Sequence, residues 1–302
     1  MDVVEIAGIP IGDGHPCPVV AELGSNHAGS LKTALKMIHA AKDAGADFVK
    51  LQCRTPHLSV PESEWHELRD TPWGKMEKLK YRERVELDIL GYQRIAEECE
   101  GFGIPWFVSV WDIPSLEFIQ ETGLPIHALK IPSARLRDLD LIRAASLIGS
   151  PVILSTGMST MDDVRVAVKK AQKHFDANSK EEWLFLPQLI LLQCSSSYPA
   201  RADESDLRVI HTYKHELGYP VGFSSHKIGI DTCIGAVYAG ANLVERHFSL
   251  DRSAKGSDHR MSSTPDDIRR LVKEIRRVET ILGSATKRIF DSEKPEMKRL
   301  GK

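Results

Sequence analysis

The sequence predicts an α/β protein built as one closed (β/α)8 barrel with a short N-terminal hairpin. Three observations carry that expectation. Short β-branched runs alternate with longer segments of helical spacing, in eight successive pairs. No strong linker separates the pairs. The chain has 302 residues, enough for a barrel of about 250 residues with trimmings. Strands followed each time by helices imply a parallel sheet with right-handed crossovers, and eight units imply closure. The competing fold, an open doubly wound sheet, usually carries a GxGxxG turn after its first strand. The turn here, Gly24-Ser25-Asn26-His27-Ala28-Gly29, lacks that spacing.

Residues 1–17 read as a hairpin turning at Gly8-Ile9-Pro10 and capping the N-terminal end of the barrel. The barrel itself is expected over residues 18–283. Its first strand is Val19 to Leu23, followed by a helix from Ser30 to Ala44 with Ser30 as N-cap and Gly45 as C-cap. The second strand is Phe48 to Gln52. A long polar loop from Arg54 to Arg82 follows, with a turn signal at Thr71-Pro72-Trp73-Gly74, and loops of that length are usually functional. A helix is expected over Arg84 to Gly101. Five tighter strand–helix pairs come next: Trp106–Trp111 with Pro114–Thr122, Ala128–Pro132 with Leu136–Leu147, Pro151–Thr156 with Thr160–His174, Leu189–Cys194 with Ser205–Glu216, and Pro220–Ser225 with Ile230–Ala239. The last pair is Leu243–Phe248 with Pro265–Leu282. Residues 284–302 are polar and basic and read as a tail or a cut linker.

Composition narrows the class. Hydrophobic residues make up 42% and charged residues 27%, with 40 basic against 42 acidic side chains. That balance is too apolar for disorder and too even for a nucleic-acid binder. No apolar run approaches the ~18 residues of a membrane helix, and the acidic N-terminus does not resemble a signal peptide. Five scattered cysteines without a CxxC pair argue against a disulfide framework or a cysteine zinc site, and fit a cytoplasmic protein.

Active sites of such barrels lie at the C-terminal ends of the strands. Collected there are Glu22, Asn26 and His27, then Lys50 and Gln52, then Ser109 and Asp112. Next come Lys130 and Ser133, Ser155 and Thr156, and Ser195 through Tyr198. The last two strands bring Ser224 and His226, then Glu245 and His247. Two lysines among many hydroxyls suit a phosphate or carboxylate. Two histidines on adjacent strands suit a divalent metal such as Mn²⁺, Co²⁺, Fe²⁺ or Zn²⁺.

Each residue also has a plainer reading. Lys50 can snorkel to water, and either histidine can be a hydrogen-bonded core residue. Lys130 lies inside an apolar strand, where an unpaired lysine is costly, so it points to function. Serines alone carry almost no signal. His57, His66, His174, His211 and His215 are placed on loops or helix surfaces, and Trp65 and Trp73 read equally as a lid or as loop packing.

Several segments, in order, resemble the sialic acid synthase family (N-acetylneuraminate synthase and its relatives). They begin with Ala21-Glu-Leu-Gly-Ser-Asn-His-Ala-Gly-Ser30 and Ala44-Gly-Ala-Asp-Phe-Val-Lys-Leu-Gln52. Thr71-Pro-Trp-Gly74, Leu129-Lys-Ile-Pro-Ser133, Ile153-Leu-Ser-Thr-Gly-Met-Ser159 and Cys194-Ser-Ser-Ser-Tyr-Pro199 continue the match. Val221-Gly-Phe-Ser-Ser-His226, Val244-Glu-Arg-His-Phe248 and Gly256-Ser-Asp-His259 complete it. The resemblance implies condensation of phosphoenolpyruvate with an aldose, commonly of N-acetylmannosamine type, to a 2-keto sugar acid with release of phosphate. It implies a divalent metal, Mn²⁺ or Mg²⁺, on His226 and His247. It implies a phosphoenolpyruvate cradle of Lys50, Ser109, Lys130, Ser133, Ser155, Ser196 and Ser224. It implies Glu22 as acid/base, with Lys130 beside it in the chemistry, and Gln52, Tyr198, Glu245 and Asp258 facing the sugar.

Two departures stand out. The family usually has Ser-Asp-His where this chain has Ser224-Ser225-His226, and often Asn where Ser196 stands. Typical bacterial members continue into a small antifreeze-protein-like domain that supplies a sugar-binding arginine. Here the sequence stops at Lys302, so a differently closed sugar pocket or a different sugar is expected. Two competing functions remain: a Schiff-base aldolase using Lys130, and a non-catalytic relative. The expected partners are small molecules and another copy of the chain in a homo-oligomer, with no nucleic acid and no membrane.

Overall fold

The computed structural model describes residues 3–172, 188–256 and 258–300. Eight parallel strands close into a barrel in the order expected from the sequence. They are β3 (Val19–Gly24), β4 (Phe48–Cys53), β7 (Trp106–Val110), β8 (Leu129–Ile131), β9 (Val152–Ser155), β10 (Leu189–Cys194), β11 (Val221–Ser225) and β12 (Val244–His247). β12 pairs with β3 and completes the ring. The helices between them are α1 (Leu31–Asp43), α4 (Ile89–Phe102), α5 (Ile113–Glu121), α6 (Leu139–Leu147), α7 (Met161–Gln172), α8 (Arg208–Leu217), α9 (Asp231–Tyr238) and α10 (Pro265–Leu282).

Strand alternation divides the core. Val19, Ala21, Leu23, Val49, Leu51, Val108, Leu154, Leu191 and Val244 face outward and pack under the helices. Val20, Phe48, Phe107, Ala128, Ile153, Leu192 and Leu243 face inward and form an apolar floor. Two residues further along these strands, the same inward face carries Glu22, Lys50, Ser109, Lys130, Ser155, Cys194 and Glu245. A period of two keeps side chains on one face, so the interior turns from apolar to polar within one repeat. That step places the site at the C-terminal mouth.

Local capping matches the sequence. Ser30 caps α1 by accepting from the Thr33 N–H, and Gly45 follows its end at φ +88°. Asp112 caps α5 in a capping box with Ser115, and Thr264 caps α10 with Asp267.

Three expectations are corrected. The hairpin strands are β1 (Val4–Ile6) and β2 (Ile9–Ile11), so the turn is Ala7-Gly8, at φ +48° and +80°, rather than Gly8-Ile9-Pro10. Two positive φ values suit a two-residue hairpin turn, whose twist matches the strands. Val4, Ile6 and Ile11 pack onto the apolar floor. Residues 54–82 are not one loop: they hold α2 (Pro56–Ser59), an antiparallel pair β5 (Leu68–Thr71) and β6 (Gly74–Glu77), and the start of α3 (Lys78–Val85). The helix expected over 84–101 is broken at Glu86–Asp88, because Asp88 caps α4 by accepting from the Gly91 N–H. The tail carries a short exposed helix, α11 (Lys294–Leu300). The C-terminal end of the helix expected over Thr160–His174, with His174 itself, lies outside the described residues.

Candidate active site

A cavity of about 180 Å³ opens at the C-terminal mouth, lined by residues of all eight strands or the turns that follow them. Glu22, Lys50, Gln52, Ser109, Lys130, Ser133, Ser155, Ser196, Tyr198, Ser224, His226, Glu245 and His247 all line it. Of the residues singled out for chemistry, Asp258 alone is absent from the lining. It sits on the turn after β12, where Ser262 Oγ donates to its carbonyl at 2.6 Å.

The floor of the cavity is a closed charge network. The Lys50 ammonium contacts the Glu22 carboxylate and lies 3.8 Å from Glu245. Lys130 Nζ donates to Glu245 Oε1 at 2.5 Å, and Ser224 Oγ donates to the same oxygen at 3.1 Å. Gln52 Nε2 donates to Glu22 Oε1 at 2.7 Å. The four charged residues are at most 5% exposed. Burial alone would raise Glu245, but the two ammonium groups outweigh it and hold the carboxyl at about 2. Burial lowers Lys50 despite its glutamate partners. Burial opposes charge on Lys130 as well, yet Glu245 and Glu22 outweigh it and keep that amine protonated.

The two imidazoles stand together, with ring centroids 5.3 Å apart. Tyr198 lies over His226 at 4.1 Å and meets His247 edge-on at 6.2 Å. Burial, followed by the neighbouring His247, pushes His226 down to about 3. Burial likewise lowers His247. Both rings are therefore neutral at neutral pH. The Ser195 carbonyl lies 2.6 Å from His226 Nδ1. A carbonyl only accepts, so Nδ1 carries the proton and Nε2 keeps its lone pair. His247 Nδ1 is buried with no hydrogen-bond partner among the described residues.

Two glycines let polar groups converge. Gly24 follows a register shift in β3 and has φ +53°. A Cβ there would lie 3.3 Å from Glu22 Oε1, 3.4 Å from His247 Nδ1 and 3.5 Å from Gln52 Nε2. At Gly157 a Cβ would meet Ser196 Oγ at 2.4 Å, Cys194 Sγ at 2.9 Å and Ser133 Oγ at 3.0 Å. Gly157 N–H donates to Ser133 Oγ at 3.0 Å, so the β9 turn contributes backbone to a hydroxyl-lined wall.

Other strand-end residues serve the scaffold. Asn26 donates to the Phe248 carbonyl and to Ser262, and His27 Nδ1 accepts from the Gly29 N–H. Asp112 binds Thr55 and caps α5. Thr156 donates to the Leu192 carbonyl. Ser225, the departure in the seventh strand, points away from the cavity, with its Oγ 3.0 Å from Thr232 Oγ1 and accepting from Arg246. Arg246 itself is 1% exposed and donates to the carbonyls of Ser225, Lys227 and Met261. It ties β12 to its neighbours from outside the barrel. Trp65 packs within the insertion through a bond to the Val60 carbonyl, and Trp73 lies under Arg84; neither lines the cavity.

The sequence reading missed Trp111, Pro132, Ala134, Met158 and Cys194 in the lining. Cys194 was legible, since it stands two residues beyond the inward Leu192. Trp111 and Pro132 likewise stand two residues beyond the inward Ser109 and Lys130, whereas Ala134 and Met158 lie further past the strand ends, where alternation no longer reports direction.

Fold and site together define the class: a (β/α)8 barrel whose mouth pairs two lysines with two glutamates beside two neutral imidazoles. A model described as the NeuB family matches residues 37–287, and the chain belongs to that family. It is 34% identical over 298 residues to the N,N'-diacetyllegionaminic acid synthase of Legionella pneumophila, covering 96% of this chain and 80% of that protein. It is 32% identical over 300 residues to the human N-acetylneuraminate-9-phosphate synthase, covering 97% and 78%. Among solved structures, the N-acetylneuraminic acid synthetase of Leptospira borgpetersenii, crystallised with citrate, superposes with a TM-score of 0.87 at 30% identity. That match covers 99% of this chain and 96% of the other. The named relatives are sugar acid synthases. Among the described residues no helix is long and apolar enough to cross a membrane.

Proposed function

We propose that the chain condenses phosphoenolpyruvate with an aldose of N-acetylmannosamine type, forming a 2-keto-3-deoxy sugar acid and releasing phosphate. The observation that carries this reading is the buried pair Lys50 and Lys130 within a ring of serine hydroxyls, next to two neutral imidazoles. Phosphoenolpyruvate has two anionic groups, which match two ammonium groups and several donors. An incoming anion competes with Glu22 and Glu245 for the lysines. The hydroxyls of Ser109, Ser133, Ser155, Ser196 and Ser224 then complete its shell.

Carbon 3 of the enol attacks the aldehyde carbon, forming the new C–C bond, and the aldehyde oxygen takes a proton. Carbon 2 takes up water. The tetrahedral intermediate then breaks its C–O bond to phosphate and leaves the keto acid. Glu22 is the group placed to move a proton in this sequence. Gln52 and Tyr198 are assigned to the sugar side of the cavity, with Asp258 beyond its rim.

The donor set fits a divalent cation that accepts imidazole nitrogen, such as Mn²⁺, held by His226 and His247. Both rings offer lone pairs at neutral pH, and His247 Nδ1 has no other partner. Among the described residues no group of three or more His, Cys, Asp or Glu gathers as a ligand set, so water or substrate oxygens would complete the shell. When bound, the cation supplies Lewis-acid stabilisation of negative charge on the aldehyde oxygen. A Schiff-base reading is disfavoured, because it needs a neutral amine and Glu245 keeps Lys130 protonated.

The test is a panel of aldoses, plain and 6-phosphorylated, assayed for phosphate release from phosphoenolpyruvate with Mn²⁺ present. Release with an N-acetylated aldose supports the proposal. No release with any aldose from metal-loaded protein overturns it, and a borohydride-trapped pyruvate adduct points instead to the aldolase.

A further inference from the structure

Arg54 stands just beyond β4, next to the cavity but outside its lining. Its guanidinium lies over the Trp111 ring, 3.4 Å from the centroid, and Trp111 does line the cavity. Nη2 donates to Gln52 Oε1 at 2.5 Å. The backbone is tethered as well. The Arg54 N–H donates to Glu86 Oε2 at 3.1 Å, while Thr55 donates to Asp112 through its N–H at 3.0 Å and its hydroxyl at 2.6 Å. The Trp111 ring and the Gln52 oxygen hold the guanidinium, and the Glu86 and Asp112 carboxylates hold the backbone that carries it.

A guanidinium has five N–H donors and no acceptor. The end of the Gln52 amide that faces it must therefore be the oxygen. The NH2 end then faces Glu22 Oε1, at 2.7 Å. The reversed amide would set N–H against N–H at Arg54 and oxygen against oxygen at Glu22. Both contacts are repulsive in a partly buried place, where unmatched polar groups are costly. The orientation follows from donor chemistry alone.

We propose that Arg54 is a positioning residue that locks the Gln52 amide so that its N–H holds the Glu22 carboxylate in place. It touches no reacting atom and acts through Gln52. Its kinetic consequence rests on the condensation proposed above; the amide orientation does not.

Arg54→Met removes the guanidinium while keeping a long apolar stem over Trp111. In protein labelled with 15N-glutamine, the Gln52 side-chain NH2 signal is identified by its loss in Gln52→Met. In the parent chain one Gln52 NH2 proton is expected downfield and slow to exchange. In folded Arg54→Met the signal should move to the position of ordinary solvated amides. With the productive aldose, kcat should fall about 10- to 100-fold, the factor for losing one hydrogen bond to a charged group, while KM for phosphoenolpyruvate holds within about twofold. In a Gln52→Met background the same substitution should change kcat by less than about twofold, because coupled residues are not additive. Arg54→Lys, which keeps a donor and no acceptor, should restore part of both signals.

An unmoved Gln52 NH2 signal in folded Arg54→Met overturns the proposal, as do Arg54 and Gln52 effects on kcat that multiply. If Arg54→Met does not fold, Arg54→Gln carries the same tests, since its amide can present either end to Gln52. If the parent chain shows no condensation, the function proposed above fails by itself and the amide signal still decides the role of Arg54.

Discussion

Replacing Lys130 by Met is expected to destabilise the protein in a way that depends on pH. Lys130 and Glu245 form a buried pair at 2.5 Å, 5% and 3% exposed. Without the ammonium, Glu245 keeps only the Ser224 hydroxyl at 3.1 Å and Lys50 at 3.8 Å. Stranding one partner of a buried pair costs about 3–5 kcal/mol. In the parent chain Glu245 is held at about 2, below its ordinary 4.5, so the stability it contributes is present above pH 4.5 and is lost as pH falls towards 2. In Lys130→Met, burial is opposed only by Lys50 and the Ser224 hydroxyl, so the carboxyl rises and takes a proton more readily. The penalty should therefore be largest near pH 8 and smaller near pH 5. The double variant Lys130→Met, Glu245→Gln removes the stranded charge and should recover most of the loss. Urea denaturation followed by tryptophan fluorescence at both pH values measures this. Phosphate release should be lost in the single and the double variant alike, which separates folding from chemistry. A single variant as stable as its parent at pH 8, or one whose penalty is the same at both pH values, would refute the reasoning.

Other outcomes are expected. Gly157→Ala puts a methyl 2.4 Å from Ser196 Oγ and 3.0 Å from Ser133 Oγ, so phosphoenolpyruvate should bind about tenfold or more weakly in a calorimetric titration while the fold survives. Burial pushes His27 down to about 4 from 6.5. Stability tied to its neutral form is full above pH 6.5 and falls as pH drops to about 4, by about 3–4 kcal/mol at ~1.4 kcal/mol per pH unit. His27→Gln should flatten the denaturation midpoint across that window by the same amount. His226→Ala should weaken Mn²⁺ binding by at least about tenfold, read by calorimetry without substrate.

Much of this protein was legible in its sequence because a barrel strand reports direction by parity. Val20 and Glu22, Phe48 and Lys50, and Leu243 and Glu245 are each two residues apart, so apolar floor and polar mouth could be read from spacing. The capping residue Ser30 was legible for the same local reason, as a short side chain that satisfies one of the first N–H groups of a helix. Loops were harder. Residues 54–82 form a helix and a hairpin pair whose strands are stabilised by each other and by Arg69 over Tyr81, contacts that no single window of sequence contains. Trp111 and Met158 enter the cavity from beyond the strand ends, and Asp258 stays out of it.

The sequence by itself determined the barrel, the eight inward faces and the residue types gathered at one mouth, because backbone periodicity is a local property. The tertiary structure decided which polar groups meet. It paired Lys130 with Glu245 and Lys50 with Glu22, turned Ser225 towards Arg246 and away from the cavity, and set Arg54 over Trp111 so that it commands the Gln52 amide. Those partners come from different strands and turns, up to 115 residues apart in the case of Lys130 and Glu245. Only closure of the ring brings them within hydrogen-bond reach and out of water, where a pairing decides charge and orientation.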